Sequence, residues 1–103
     1  AIRLPYASAK SGIIGFTYQL AKDVAPDGIY VNAVMPGFIL TEEGARVRGR
    51  YEILNENDQA NMTSTVPLGR PGRADEVAKA VTFLSSDDAS YTTGTILEVT
   101  GGR

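Results

Sequence analysis

Tyr6 and Lys10 stand four residues apart in the stretch LPYASAKSG, and a tyrosine and a lysine at that spacing can carry out proton chemistry. Residues four apart lie on one face of a helix, so both side chains can point into one cleft. A nearby ammonium stabilises the phenolate and draws a tyrosine pKa from about 10 towards working pH. Such a tyrosine can give a proton to a carbonyl oxygen or take one from an alcohol. Ser8 and Ser11 offer a different chemistry: a serine activated by Tyr6 and Lys10 would be the nucleophile of a small, cofactor-independent hydrolase. An isolated tyrosine and lysine at this spacing can also be no more than two surface residues of an amphipathic helix.

Two absences narrow these options. The chain has no His and no Cys, so a Ser-His-Asp triad, a cysteine nucleophile and an ordinary zinc site are all out of reach. Catalysis must run on Tyr, Lys, Ser, Thr, Asp or Glu, and no disulfide can staple the fold. The 103 residues, 43% apolar and 21% charged, have the composition of a globular domain. A chain this long can bury roughly 65% of its unfolded surface. The net charge of -2 gives no field to attract nucleic acid, and Arg46, Arg48 and Arg50 read as a solvated helix face. No run reaches the roughly 20 apolar residues needed to span a bilayer, and the first residues do not read as a secretion signal. The expectation is a cytoplasmic protein that binds neither membrane nor nucleic acid.

The elements that must position the pair follow from periodicity. Ile13, Thr17, Leu20, Ala21 and Val24 fall at helical spacing, which predicts a helix from about Tyr6 to Ala25, stopped by Pro26 and Asp27-Gly28. IYVNAVM, residues 29–35, is a short, β-branched, mostly apolar strand cut off by Pro36-Gly37. Thr41 to about Pro67 is polar and weakly periodic, with short helices expected near Glu42 to Tyr51 and Asn55 to Met62. A helix from about Ala74 to Ser85 carries Val77, Ala80, Val81 and Leu84 on one face, with Asp75 and Glu76 where the helix dipole favours acids. TILEV, residues 95–99, makes the second strand and ends at Gly101-Gly102. Two strands are too few for an independent sheet.

Taken together, YASAK, VNAVMPGFILT, PLGRPGRADEVAKAVTFLSSDDASYTTG and LEVTGG resemble successive blocks of the C-terminal half of a short-chain dehydrogenase/reductase of the compact Rossmann-fold type. The resemblance covers nearly the whole chain in register. It implies an α/β fold: an incomplete Rossmann-like, doubly wound parallel sheet in the order helix-strand-helices-strand, lacking the N-terminal nucleotide-binding half. One partial domain is expected over residues 1–103, with the catalytic helix and strand end in 1–41, a substrate lid in 42–68 and the last helix and strand in 69–103.

The resemblance further implies an NAD- or NADP-dependent oxidoreductase that moves a hydride between nicotinamide and a carbonyl/alcohol substrate. Tyr6 and Lys10 would be the catalytic residues and both would also bind the cofactor, Lys10 at the nicotinamide ribose. Pro36 and Gly37 end a strand at its carboxyl end, where open α/β sheets bind ligands. By resemblance the segment they open contacts the cofactor, Ile39 through its backbone and Thr41 at the carboxamide or pyrophosphate. No metal is implied. The family's glycine-rich Gly-x-x-x-Gly-x-Gly turn, its Asn-Ala-Gly block and its catalytic Ser precede the Tyr, and only five residues precede Tyr6 here. Thr100 stands where the family often has Asp. Gly12 and Gly15 suit close packing of the first helix against a sheet or partner helix. Glu42, Glu43, Glu52 and Glu56 are expected to be solvated. A homo-oligomer, dimer or tetramer, would cover the exposed sheet edge, and a noncatalytic remnant that survives by oligomerising is the alternative to an enzyme.

Overall fold

The computed structural model describes residues 3–41 and 46–102. Its described elements are α1 (Leu4–Val24), β1 (Ala33–Pro36), β2 (Ile39–Leu40), α2 (Arg46–Glu52), α3 (Glu56–Met62), β3 (Gly72–Arg73), α4 (Ala74–Leu84) and β4 (Ile96–Val99), with 3₁₀ turns at Ala25–Asp27 and Asp87–Ala89. The expected helix-strand-helices-strand order holds, with β2 and β3 added. Strands pair as β1 with β4 and β2 with β3. Hydrogen-bond partners along 31–37 and 94–99 rise together, from Gly94 N to Val31 O through Ala33 N to Thr95 O to Gly37 N to Val99 O, which is the parallel pattern. The β2–β3 pair is parallel with Ile39 opposite Gly72 and Leu40 opposite Arg73.

The chain folds as two compact units, Ala1–Ala33 with Phe83–Leu97, and Val34–Thr82 with Glu98–Arg103. In the first unit α1 begins with Pro5 in its first turn, where a missing N–H costs nothing, and Ala7 N bonds Arg3 O at 2.9 Å. It ends at Val24, one residue short of the expected Ala25, and the chain tightens through Ala25–Asp27 into Gly28 at φ 75°, a left-handed position suited to glycine. Thr17 and Ala21 are buried, and the Thr17 hydroxyl donates to Ile13 O at 2.7 Å. Ile13, expected on the buried face, is 59% exposed, because it flanks the stripe one turn before the covered segment.

The expected strand 29–35 is shorter than read. Its first half is held largely by side chains, with one backbone bond from Gly94 N to Val31 O: Tyr30 Oη donates to Ser90 O at 2.5 Å, and Val31 N donates to Thr93 Oγ1 at 3.0 Å. Asn32 then grips the same segment from both sides, its Nδ2 donating to Thr92 O at 3.1 Å and its Oδ1 accepting from Thr95 N at 3.0 Å.

In the second unit, β1 ends at Pro36 and Gly37 N donates to Val99 O at 3.0 Å. A Cβ on Gly37 would lie 3.0 Å from Thr100 Cα and 3.1 Å from its Cβ, so glycine lets the two chains approach without displacement. Asn55 caps α3 by accepting from Asp58 N at 2.8 Å. The Phe38 and Tyr51 rings meet edge to face, centroids 5.8 Å apart at 86°, and Gln59 Nε2 donates to Tyr51 O at 3.0 Å. Val66 and Thr63 are buried, and a Cβ on Gly101 would lie 2.7 Å from Val66 Cγ1. The expected helix at Glu42–Tyr51 corresponds to α2, with residues 42–45 outside the described ones; α4 stops one residue before the expected Ser85. Among the described residues no helix is long and apolar enough to cross a membrane.

Candidate functional site

The packed face of α1 runs Lys10, Ile14, Thr17, Ala21, Val24, in steps of three and four residues. Thr17 and Ala21 are buried and the other three half-buried. Tyr6 lies four residues ahead of Lys10, on the continuation of that stripe. The Lys10 Nζ sits over the Tyr6 ring, 5.2 Å from its centroid, a cation–π arrangement. Tyr6 is 64% exposed, so its phenol is open to a partner or substrate. At about 100° per residue, Ser8 is about 200° and Ser11 about 140° around the helix from Tyr6. Neither serine shares the face of the pair.

Pro36, Gly37, Ile39 and Thr41 belong to the second unit. Gly72 N donates to Phe38 O at 2.9 Å, and in a parallel ladder that bond turns the N–H and C=O of Ile39 away from β3. The backbone of Ile39 therefore faces off the β2–β3 pair, as a main-chain contact to a ligand requires. Thr41 is exposed and its carbonyl accepts from Arg48 Nη1 at 2.8 Å. Gly12 and Gly15 of α1, read as close-packing positions, would meet no described atom within 4 Å if a Cβ were added, so neither is packed against another element here.

A cleft of about 180 Å³ in the second unit is lined by Ile39, Leu68, Arg70, Glu76, Glu98 and Thr100 among others. Its charged wall is organised by Glu76, which takes Arg70 Nη1 at 2.8 Å and Nη2 at 3.0 Å in a two-pronged pair and accepts from Arg73 N at 3.0 Å. The Arg70 side chain, then the Arg73 N–H, hold the Glu76 carboxyl down at about 2. Arg73 likewise keeps the Asp75 carboxyl below its ordinary value, and Lys79 adds to this. Sequence reasoning passed over Arg48, Arg70 and Glu76 as site-shaping residues. The Arg48–Glu52 spacing of four is legible as a helix pair, and Glu76 falls three residues after the cap position, where a capping carboxylate belongs. Arg70 gives no such signal.

These features define an α/β protein with parallel strand pairs, a strand ended by Pro36-Gly37 and a helix carrying a tyrosine–lysine pair. A family model described as enoyl-(acyl carrier protein) reductase matches residues 3–103. Curated relatives named 3-oxoacyl-[acyl-carrier-protein] reductase FabG align over 97 residues, 94% of this chain. They include the proteins of Haemophilus influenzae, 50% identical, and Escherichia coli, 47% identical. That of Aquifex aeolicus is 45% identical over the same length. The chain belongs to the short-chain dehydrogenase/reductase family. It spans 37% of the length of the first two relatives and 36% of the third.

Proposed function

We propose that this chain carries the proton-transfer pair and one side of the nicotinamide pocket of an NAD(P)-dependent reductase acting on a carbonyl/alcohol substrate. The observation that carries this reading is the placement of Tyr6 and Lys10 on one stripe of α1, with the ammonium over the ring. Nicotinamide, when bound, supplies or accepts the hydride. Tyr6 gives its phenolic proton to the substrate oxygen in reduction and takes it back in oxidation. Lys10 supports the phenolate by charge and holds the cofactor ribose by hydrogen bonding. Pro36 and Gly37 set the strand end, the outward backbone of Ile39 binds the carboxamide, and Thr41 closes the same pocket.

The substrate class is a 3-oxoacyl group, on the strength of the relatives' names at 45–50% identity. A keto oxygen is also an atom that a phenol can protonate directly. A homo-oligomer in the cytoplasm completes the reading.

The test is NADH and NADPH oxidation by the purified protein with a 3-oxoacyl thioester. Tyr6→Phe should lower turnover by at least about 100-fold while leaving circular dichroism unchanged, since the hydroxyl is exposed and general acid catalysis is worth that much. Unchanged turnover removes Tyr6 from the mechanism. The exposed Ile13 and Phe16 of α1 favour one second reading, a noncatalytic oligomer. Saturable NADPH binding that is lost in Lys10→Ala selects the enzyme over it.

A further inference from the structure

We propose that Arg48 is a positioning residue that fixes the main chain at Thr41. Its Nη1 donates to the Thr41 carbonyl at 2.8 Å while its Nε donates to Glu52 Oε1 one turn along α2. The guanidinium is planar and permanently charged, so orienting one edge on Glu52 aims the other at the carbonyl. A solvent-exposed ion pair alone contributes little, and both side chains are partly exposed, 37% and 47%. The backbone carbonyl as third member changes its role. Holding that oxygen restrains rotation of the Thr41 carbonyl about its Cα–C bond, at the residue whose side chain the proposed pocket uses. A second tether joins the same two segments independently, because Phe38, just before β2, meets Tyr51 of α2 edge to face. Arg48 touches no cofactor in this scheme. Its effect on nicotinamide binding passes through Thr41, and that consequence rests on the proposed role of Thr41.

Glu42 and Glu43 lie in sequence between the two ends of this clasp, which gives a readout independent of any ligand. The purified protein and its Arg48→Met, Arg48→Lys and Glu52→Gln variants are digested briefly with a Glu-specific protease, and cuts after Glu42 and Glu43 are timed by mass spectrometry. Arg48→Met keeps the apolar stem and removes the donors. It should raise the cutting rate about fivefold, a change in keeping with an exposed charged anchor. Arg48→Lys and Glu52→Gln should fall between it and the native protein. An unchanged rate in Arg48→Met overturns the clasp. NADPH titration of the same set reads the consequence, a several-fold weaker Kd in Arg48→Met partly restored in Arg48→Lys. Faster cutting with unaltered NADPH affinity overturns the positioning role. If the native protein does not bind NADPH, the pocket reading of Thr41 fails and the positioning role with it, and the cutting rates alone decide the clasp.

Discussion

Lys10 and Tyr6 were legible in the sequence because a four-residue spacing carries its own geometry; the residues that hold the strands were not. Asn32 sits inside an apolar run that reads as one strand, yet its amide performs the work of a peptide group, giving a bond to Thr92 O and taking one from Thr95 N. Partners 60 and 63 residues away leave no local trace. Asn32→Leu keeps the size and strands both main-chain groups, so it should lower unfolding free energy by about 1–3 kcal/mol in urea titration. Asn32→Asp should lose less, because it retains the acceptor for Thr95 N. At the strand end, Gly37→Ala should cost about 1–3 kcal/mol through forced displacement of main chain. A melting temperature equal to that of the native protein would show that Thr100 moves aside freely.

The elements divide by length. α1 and α4 span enough turns for periodicity to show, and both end within two residues of their expected bounds. β2 and β3 are two residues each, too short for alternation to appear, and only their pairing reveals them. The start of α4 carries a pH dependence. Glu76 titrates at about 2 in the fold against an ordinary 4.5, so the folded state favours its charged form. The stabilisation it brings is complete above pH 4.5 and is lost as pH falls from 4.5 towards 2. Melting temperatures measured across that window should fall more steeply for the native protein than for Glu76→Gln, in which Asp75 still titrates and pairs with Arg73. Parallel slopes would remove Glu76 as the source.

For the molecule as a whole, the apolar side chains left in water are the main feature. Among the described residues Ala21, Val66 and Ala89 are the buried apolar ones, while on α1 alone Leu4, Ile13 and Phe16 are 78%, 59% and 66% exposed. Ile13 and Phe16 lie about 60° apart around α1 while Leu4 lies on another side, so a partner is expected on the Ile13–Phe16 side. Sedimentation should show a species heavier than one chain, and Phe16→Asp should shift it towards the monomer; a native monomer indifferent to that change would oppose the oligomer. The approach of Gly37 to Thr100 bears on how such a protein can change over time. The atom nearest to an added methyl is the Cα of residue 100, and every amino acid has one. A shorter side chain at position 100 would remove the contacts of Thr100 Cβ at 3.1 Å and Cγ2 at 3.4 Å, but not that of its Cα at 3.0 Å. A lesion at Gly37 can thus be relieved only in part at its own point of contact, by a residue at 100 smaller than threonine, and revertants with full recovery of stability should map elsewhere in the chain or restore the glycine.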